Sequence, residues 1–163
     1  RSANASFRVV NDKGQNLRLH PETAELASTD PTLAYAQDDS HYGKTPAVVA
    51  AAYTYNQQDS KITTNYAIDI TAGNLLTQGT KEGTTPAVSP NTGQLFTVGS
   101  LGLAALQQVS FDISDLSNIG LVAASTAAEP ASTLYQIDLS SGKTKKLGTL
   151  ADGSALAGIA IEP

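Results

Sequence analysis

Short stretches of alternating apolar and polar residues recur along this chain, a pattern typical of β-strands with one buried face. The alternation is clear at residues 7–9 and 17–19, on either side of the turn sequence Asn11-Asp12-Lys13-Gly14. It returns at residues 66–70 and 135–139. Turn signals recur roughly every 8 to 12 residues, a spacing typical of all-β sandwiches, barrels and propellers.

Helical periodicity is scarce by comparison. The best helix candidates are residues 101–109 and 46–52, which are short and rich in Ala or Leu. The second candidate fits a buried strand equally well, because its valines lead into Tyr53 and Tyr55 in alternation.

One internal repeat is visible. Residues 66–73 (YAIDITAG) match residues 135–142 (YQIDLSSG) in register, and residues 17–24 (LRLHPETA) are a fainter copy without the Asp and the Gly. The repeat predicts a strand, an Asp-containing turn, a glycine and a second strand. The carboxylates of Asp69 and Asp138 can accept N–H bonds within such a turn, and glycine tolerates the positive φ that the turn requires.

The last third of the chain predicts one complete four-stranded unit, with strands at 109–113, 120–125, 133–139 and 143–150. A unit of this length matches the blade of a propeller. The fold class predicted is therefore all-β and propeller-like, with about three and a half four-stranded antiparallel blades. Approximate blade bounds are 7–45, 46–108 and 109–150, and residues 155–163 supply a strand that completes or opens another blade.

Four stretches along the chain resemble the DUF4394 family, a bacterial family of unknown function. They are RVVNDKGQNLRL (8–19), PAVVAAAYT (46–54), LFTVGSLG (95–102) and STLYQIDL (132–139). The resemblance implies a β-propeller-like, often exported protein, of which this chain is the C-terminal portion. It implies no reaction. His20 and Ala24 depart from the family's pattern around Pro21.

Composition narrows the possible functions. Charged residues make up 15% of the chain, against roughly 25% in an average domain. The net charge of −5 argues against nucleic-acid binding, and no stretch is apolar enough to span a membrane. Without cysteine there is no disulfide, no thiolate metal site and no cysteine nucleophile. Abundant Thr, Ser, Ala and Gly indicate a secreted, periplasmic or cell-surface protein.

The first residues bear on processing. The chain starts at Arg1 rather than Met, which predicts a piece processed from a longer precursor. Asn4-Ala5-Ser6 matches the N-glycosylation pattern, either by chance or as a used acceptor.

The densest polar cluster is Asp38-Asp39-Ser40-His41-Tyr42. It is either a solvated loop or a weak metal site formed by Asp38, Asp39 and His41, with calcium as the cation that oxygen ligands would favour. It lacks the spacing of an EF-hand loop. No other cofactor is predicted.

Two further sets of residues are candidates for chemistry. Asp69, Asp112 and Asp138 fall near predicted strand ends, where they either cap turns or act as catalytic carboxylates of the kind that glycosidases use. Tyr53 and Tyr55 share one strand face and either pack across the sheet or stack on a sugar ring.

These observations favour a non-enzymatic exported module for binding or assembly. A polysaccharide hydrolase or lyase and a lectin-like or calcium-binding module are the alternatives. A set of blades that stops short leaves sheet edges unpaired. The expected partners are therefore a missing N-terminal part as a separate chain, a second copy, or a neighbouring subunit, with carbohydrate as a possible ligand.

Overall fold

A computed structural model describes residues 6–59, 62–150 and 156–162 of the chain. The prediction of an all-β protein is confirmed, since twelve strands form three sheets within these ranges. The single helical element of the described ranges is the short 3-10 turn Pro90–Thr92, so none of their helices is long enough to cross a membrane. Asn4 lies outside the described residues.

Sheet A is a three-stranded antiparallel meander. Its strands are β1 (Phe7–Val10), β2 (Asn16–Leu19) and β3 (Leu26–Thr29). The β1–β2 hairpin turns at the predicted sequence, where Asn11 Oδ1 accepts the N–H groups of Lys13 and Gln15. A fourth strand was expected before residue 45, but Ala34–Tyr35 pairs with sheet B instead.

Sheet B has five strands in the order β4-β8-β7-β6-β5. They are β4 (Ala34–Tyr35), β5 (Val48–Tyr53), β6 (Asn65–Asp69), β7 (Asn74–Gln78) and β8 (Gln94–Ser100). Strands β5 to β8 form an antiparallel meander, and β4 adds to β8 in parallel. Of the two helix candidates, 46–52 therefore contributes to a strand, which was the alternative reading of its pattern.

Sheet C is the four-stranded antiparallel unit expected for the last third of the chain. Its strands are β9 (Leu106–Ile113), β10 (Gly120–Thr126), β11 (Thr133–Ile137) and β12 (Thr144–Thr149). The helix candidate at 101–109 is wrong, because β9 begins within it at Leu106. Residues 156–162, within the predicted strand 155–163, are described without strand structure.

Sheet B lies between the other two sheets. One of its faces, which includes Ile68 and Leu75, packs against Phe111 and Val122 of sheet C. Its other face, which includes Ala67 and Leu76, packs against the segment that links sheets A and B, with Val10 of β1 at the margin. Because residues adjacent along a strand point to opposite faces, strands β6 and β7 can be buried on both sides.

Sheet A turns a polar face toward sheet B. Arg8 and Arg18 both pair with Asp30, and the Arg8 side chain and the Asp30 carboxylate are only 7% and 5% exposed. Arg8 also donates to the Tyr53 hydroxyl, and Asn16 accepts from Gln78 of β7. Burial raises the pKa of Asp30, but the bonds from Arg18, Ser28 and Arg8 outweigh it and hold the pKa below its usual value. The contact between these two sheets is therefore a hydrogen-bonded polar network beside a small apolar cluster.

Candidate functional site

The loop that contains Asp38, Asp39 and His41 is fastened to sheet B. Asp39 Oδ2 accepts the N–H of Thr97 in β8, and Asp39 Oδ1 accepts the Thr97 hydroxyl at 3.0 Å and the His41 N–H at 2.8 Å. Burial raises the pKa of Asp39, but these hydrogen bonds outweigh it and the pKa lies below its ordinary value. Asp39 thus anchors the loop across 58 residues of sequence.

His41 is held by contacts on both sides of its ring. The ring stacks on Tyr35 with centroids 5.2 Å apart. Its Nδ1 lies 3.2 Å from the Thr97 hydroxyl, and its Nε2 lies 3.3 Å from the side-chain nitrogen of Asn74. The imidazole is therefore wedged between β4, β7 and β8, with 22% of its side chain exposed.

Tyr35 connects this loop to the predicted Asp turn. Its hydroxyl donates to Asp69 Oδ2 over 2.6 Å, while Asp69 Oδ1 accepts the N–H groups of Thr71 and Ala72. Burial, followed by the bond to Asp69, raises the pKa of Tyr35. Asp69 thus caps its turn, as one of the two sequence hypotheses proposed, and also binds a tyrosine that the repeat gave no reason to expect.

The donors in this cluster do not form a set of metal ligands. Asp38 is exposed, and each oxygen of Asp39 already accepts hydrogen bonds. Among the described residues no three of His, Asp or Glu are grouped so that they could hold an ion. In this conformation Asp39 and His41 fasten a loop to β8, the behaviour expected of a structural polar cluster.

The other two aspartates occupy different settings. Asp138 accepts bonds from the Ser140 N–H and from the hydroxyls of Ser140 and Ser141. The two hydroxyl bonds contribute most to lowering the pKa of Asp138 to about 2. Asp112 lies within β9, and its Oδ2 accepts the N–H of Ile161 at 2.7 Å. Asp69 and Asp138 therefore cap turns, whereas Asp112 binds the segment 156–162.

A shallow depression of about 420 Å³ lies where sheets B and C meet. Asn118 holds the two sides of the depression together, because its side chain accepts the N–H of Tyr55 at 2.8 Å and donates to the Tyr55 carbonyl at 2.9 Å. Tyr55 and Leu116 are 42% and 64% exposed there. Amide and carboxylate side chains complete the lining, which consists of Tyr55, Asn56, Gln57, Gln58, Glu82, Leu116, Ser117 and Asn118.

The predicted tyrosine pair is divided by its hydrogen bonds. The hydroxyl of Tyr53 accepts a bond from Arg8 Nε at 3.0 Å, so this residue belongs to the polar network between sheets A and B. Tyr55 lines the depression. The two rings therefore take part in different contacts, and only Tyr55 is available to the depression.

The model of one family, described as Domain of unknown function (DUF4394), matches residues 3–160. The chain belongs to the DUF4394 family. No curated protein and no solved structure matches it.

The segments of this DUF4394 chain that carried the resemblance lie in the strands rather than around the depression. They contribute to β1 and β2, to β5, to β8 and to β11. Sequence reasoning missed Glu82, Leu116 and Asn118 at the depression. A usable signal was present at 114–118, where a polar turn exposes a leucine and ends at Asn118 with φ of 53°, since asparagine is among the residues that adopt positive φ most readily.

Proposed function

We propose that this chain is a non-enzymatic, propeller-like module of exported proteins that binds other macromolecules through its uncovered surfaces. The arrangement of the sheets supports this. The first strand of each antiparallel meander lies beside the first strand of the next, β1 against β5 and β5 against β9. Sheets stacked face to face with their first strands adjacent are the arrangement of propeller blades around an axis.

The observation that carries the proposal is the outer face of sheet A, formed by Phe7, Val9, Leu17, Leu19 and Leu26. Cross-strand pairing places these residues together, with Phe7 opposite Leu19 and Val9 opposite Leu17. Phe7 is 62% and Leu26 59% exposed. A sheet that turns charged residues inward and apolar residues outward indicates a surface that another molecule covers.

The carboxylates favour binding over catalysis. The alternative of a polysaccharide hydrolase or lyase rests on Asp69, Asp112 and Asp138, and each of these uses carboxylate oxygens for hydrogen bonds within the protein. A catalytic pair instead needs one carboxylate free for a nucleophile or base role and one free to act as an acid. The expected location is secreted, periplasmic or at the cell surface, in keeping with the low charge and the lack of cysteine.

Association through the outer face of sheet A is tested by sedimentation and thermal unfolding over a roughly hundredfold range of concentration. We expect the mass and the melting temperature of the wild type to rise with concentration, and Leu26→Ser to abolish both effects. Leu147→Ser is the matched control, because Leu147 is 50% exposed but lies on β12. A wild-type chain that stays monomeric, with a constant melting temperature, would overturn the proposal.

The depression favours a second candidate function, the binding of a neutral oligosaccharide. An exposed tyrosine among amide groups suits a sugar, because the ring offers an apolar face and the amides offer both donors and acceptors. The test is binding of neutral oligosaccharides to an immobilised chain. Tyr55→Ala should abolish binding, whereas Tyr42→Ala, which changes an exposed tyrosine outside the depression, should leave it unchanged. Binding that survives in Tyr55→Ala would exclude this site, and loss of binding on chelation would favour the calcium-dependent alternative.

A further inference from the structure

Residues 156–162 run beside β9 without joining sheet C. The N–H of Ile159 donates to the Ser110 hydroxyl at 2.8 Å, and the N–H of Ile161 donates to Asp112 Oδ2 at 2.7 Å. From the first bond to the second, the position advances by two residues in the segment and by two residues in β9, so the segment is extended and runs parallel to β9. Because its amides bind the side chains of β9 rather than its backbone carbonyls, the segment packs on a face of sheet C and is not one of its strands. Strand β9 likewise packs against β5 without pairing with it.

The opposite edge of this segment is open for pairing. In an extended chain successive N–H groups point to opposite edges, so the N–H of Ala160 points away from the bonds made by Ile159 and Ile161. Within the described ranges this N–H has no hydrogen-bond partner, and Ala160 is exposed. The segment therefore has the position of the first strand of a further sheet, with its pairing edge unused.

Sheet A has the complementary deficiency. In the part of the chain that the structure describes, it has three strands, whereas sheet C has four and sheet B contains a four-stranded meander from β5 to β8. Strand β1 is an edge strand, paired only with β2 among the described residues. Its outer face is apolar and exposed, as described above. One more strand along β1 would give sheet A the four strands of the others.

A single copy cannot join these two edges. Sheet A packs on one face of sheet B, and sheet C with segment 156–162 lies on the other. The open strand and the sheet that lacks a strand are thus at opposite ends of the stack, and their pairing requires two molecules.

We propose that residues 156–162 of one copy pair with the free edge of β1 in a second copy, and that two such contacts close a dimer. This inference rests on the propeller-like arrangement proposed above. Each copy contributes three sheets, so the dimer is a ring of six sheets, each built on a four-stranded antiparallel meander, within the roughly four to eight blades that propellers have. A head-to-tail contact that closes gives a ring, and one that does not close gives a filament.

This contact brings the apolar outer face of sheet A onto a face of sheet C that has an apolar part beside polar residues, among them Gln136 opposite Leu121. On sheet C, Leu121 is the register partner of Asp112, and Leu134 is the partner of Ala123. These residues therefore share the face from which Ser110 and Asp112 hold the segment, and Leu121 and Leu134 are only half-buried. Pairing of the strand lays the outer face of the second copy's sheet A against them, so one contact covers both faces.

Native mass spectrometry with the full chain tests the closed dimer. We expect a species of twice 16.8 kDa and no larger series. Ala160→Pro should raise the dimer Kd at least about tenfold, because proline removes the N–H of the pairing edge and leaves those of Ile159 and Ile161 intact. Ala160→Val keeps the N–H and should keep the dimer. Dimers unaffected by Ala160→Pro would overturn the inference, as would a monomeric wild type.

Cross-linking identifies the paired strands. The chain has no cysteine, so an equimolar mixture of Val9→Cys and Ala160→Cys chains should form a disulfide-linked heterodimer on oxidation. Thr29→Cys is the control, since Thr29 lies in the same cross-strand row and on the same face as Val9 but two strands away, roughly 10 Å. Efficient linking at Thr29, or Val9→Cys homodimers alone, would show association without this strand pairing. That result would overturn the inference and leave the proposed function standing.

Discussion

The hydroxyl of Tyr35 donates a hydrogen bond to Asp69 Oδ2 across 2.6 Å, and both side chains are buried. The bond joins β4, which follows sheet A in the chain, to the end of β6, an inner strand of sheet B. Burial first, and then the bond to Asp69, raises the pKa of Tyr35, so the phenol stays protonated and donates throughout the physiological range. The interaction thus fastens the connection between sheets A and B.

Removing this hydroxyl should destabilise the protein. Tyr35→Phe leaves a carboxylate oxygen of Asp69 buried with one donor fewer, which should lower the free energy of unfolding by about 1.5 to 3 kcal/mol. Urea denaturation measures the change. Tyr55→Phe removes the hydroxyl of a partly exposed tyrosine and should shift the midpoint little. Equal losses in the two variants would mean that the bond to Asp69 contributes nothing specific.

The two aspartates of the sequence repeat should differ in importance. Asp69→Asn weakens both a turn cap and the buried acceptor of Tyr35, and we expect a loss of about 2 to 3 kcal/mol. Asp138 caps an exposed turn, so Asp138→Asn should cost much less. Thermal unfolding of both variants measures this. A larger loss of stability in Asp138→Asn than in Asp69→Asn would contradict the idea that the burial of Asp69 makes it the more important of the two.

Stability should fall in acid because of Asp39. Its folded pKa is lower than in the unfolded chain, so its contribution is present above the unfolded value of about 3.9 and is lost as the pH falls through the folded pKa. Asp39→Asn should lower stability at neutral pH and flatten the acid limb of the profile. Asp38→Asn, at the exposed neighbouring position, should leave the profile unchanged. Denaturation midpoints from about pH 7 to pH 2.5 give the comparison.

The ion pairs beneath sheet A should depend on burial. Arg8→Gln leaves Asp30 with Arg18 as its remaining ion-pair partner and also removes the bond to the Tyr53 hydroxyl, and a hydrogen bond to a charged group is worth about 1.5 to 3 kcal/mol. Arg18 is 31% exposed against 7% for Arg8, so Arg18→Gln should cost less. Urea unfolding of the two single variants tests the order, and a larger loss in Arg18→Gln would contradict it.

Local sequence pattern was sufficient where a structural feature depends on neighbouring residues. The β1–β2 hairpin, the Asp69 and Asp138 turns and the four strands of sheet C follow from alternation and turn chemistry. Contacts between distant residues left no such signal. Nothing near Ala34 indicates that it pairs in parallel with β8, and alternation in β1 does not reveal that Arg8, rather than Phe7, faces sheet B.

The same limit explains the candidate site. The sequence shows Asp39 and His41 as a polar cluster, but their partner Thr97 lies far along the chain in β8. Through this contact the cluster fastens a loop to sheet B. The depression likewise combines Tyr55 with Asn118 across 63 residues. Alternation describes single strands and cannot indicate which turn of one sheet meets which turn of the next.

Sheets B and C lie close together at Gly99, and this contact should tolerate no side chain. A Cβ at Gly99 would lie 2.2 Å from the carbonyl oxygen of Ser141, a backbone atom that cannot move aside without shifting the β11–β12 turn. Gly99→Ala should therefore cost about 1 to 3 kcal/mol, as overpacking does elsewhere. Gly148 lies in β12, has ordinary φ and has no neighbouring atom within 4 Å of its Cβ position. Gly148→Ala should be neutral or stabilising by up to about 1 kcal/mol, because alanine loses less backbone entropy on folding. Urea denaturation of the two variants checks the contrast, and equal free energies of unfolding would show that the two sheets do not approach each other this closely.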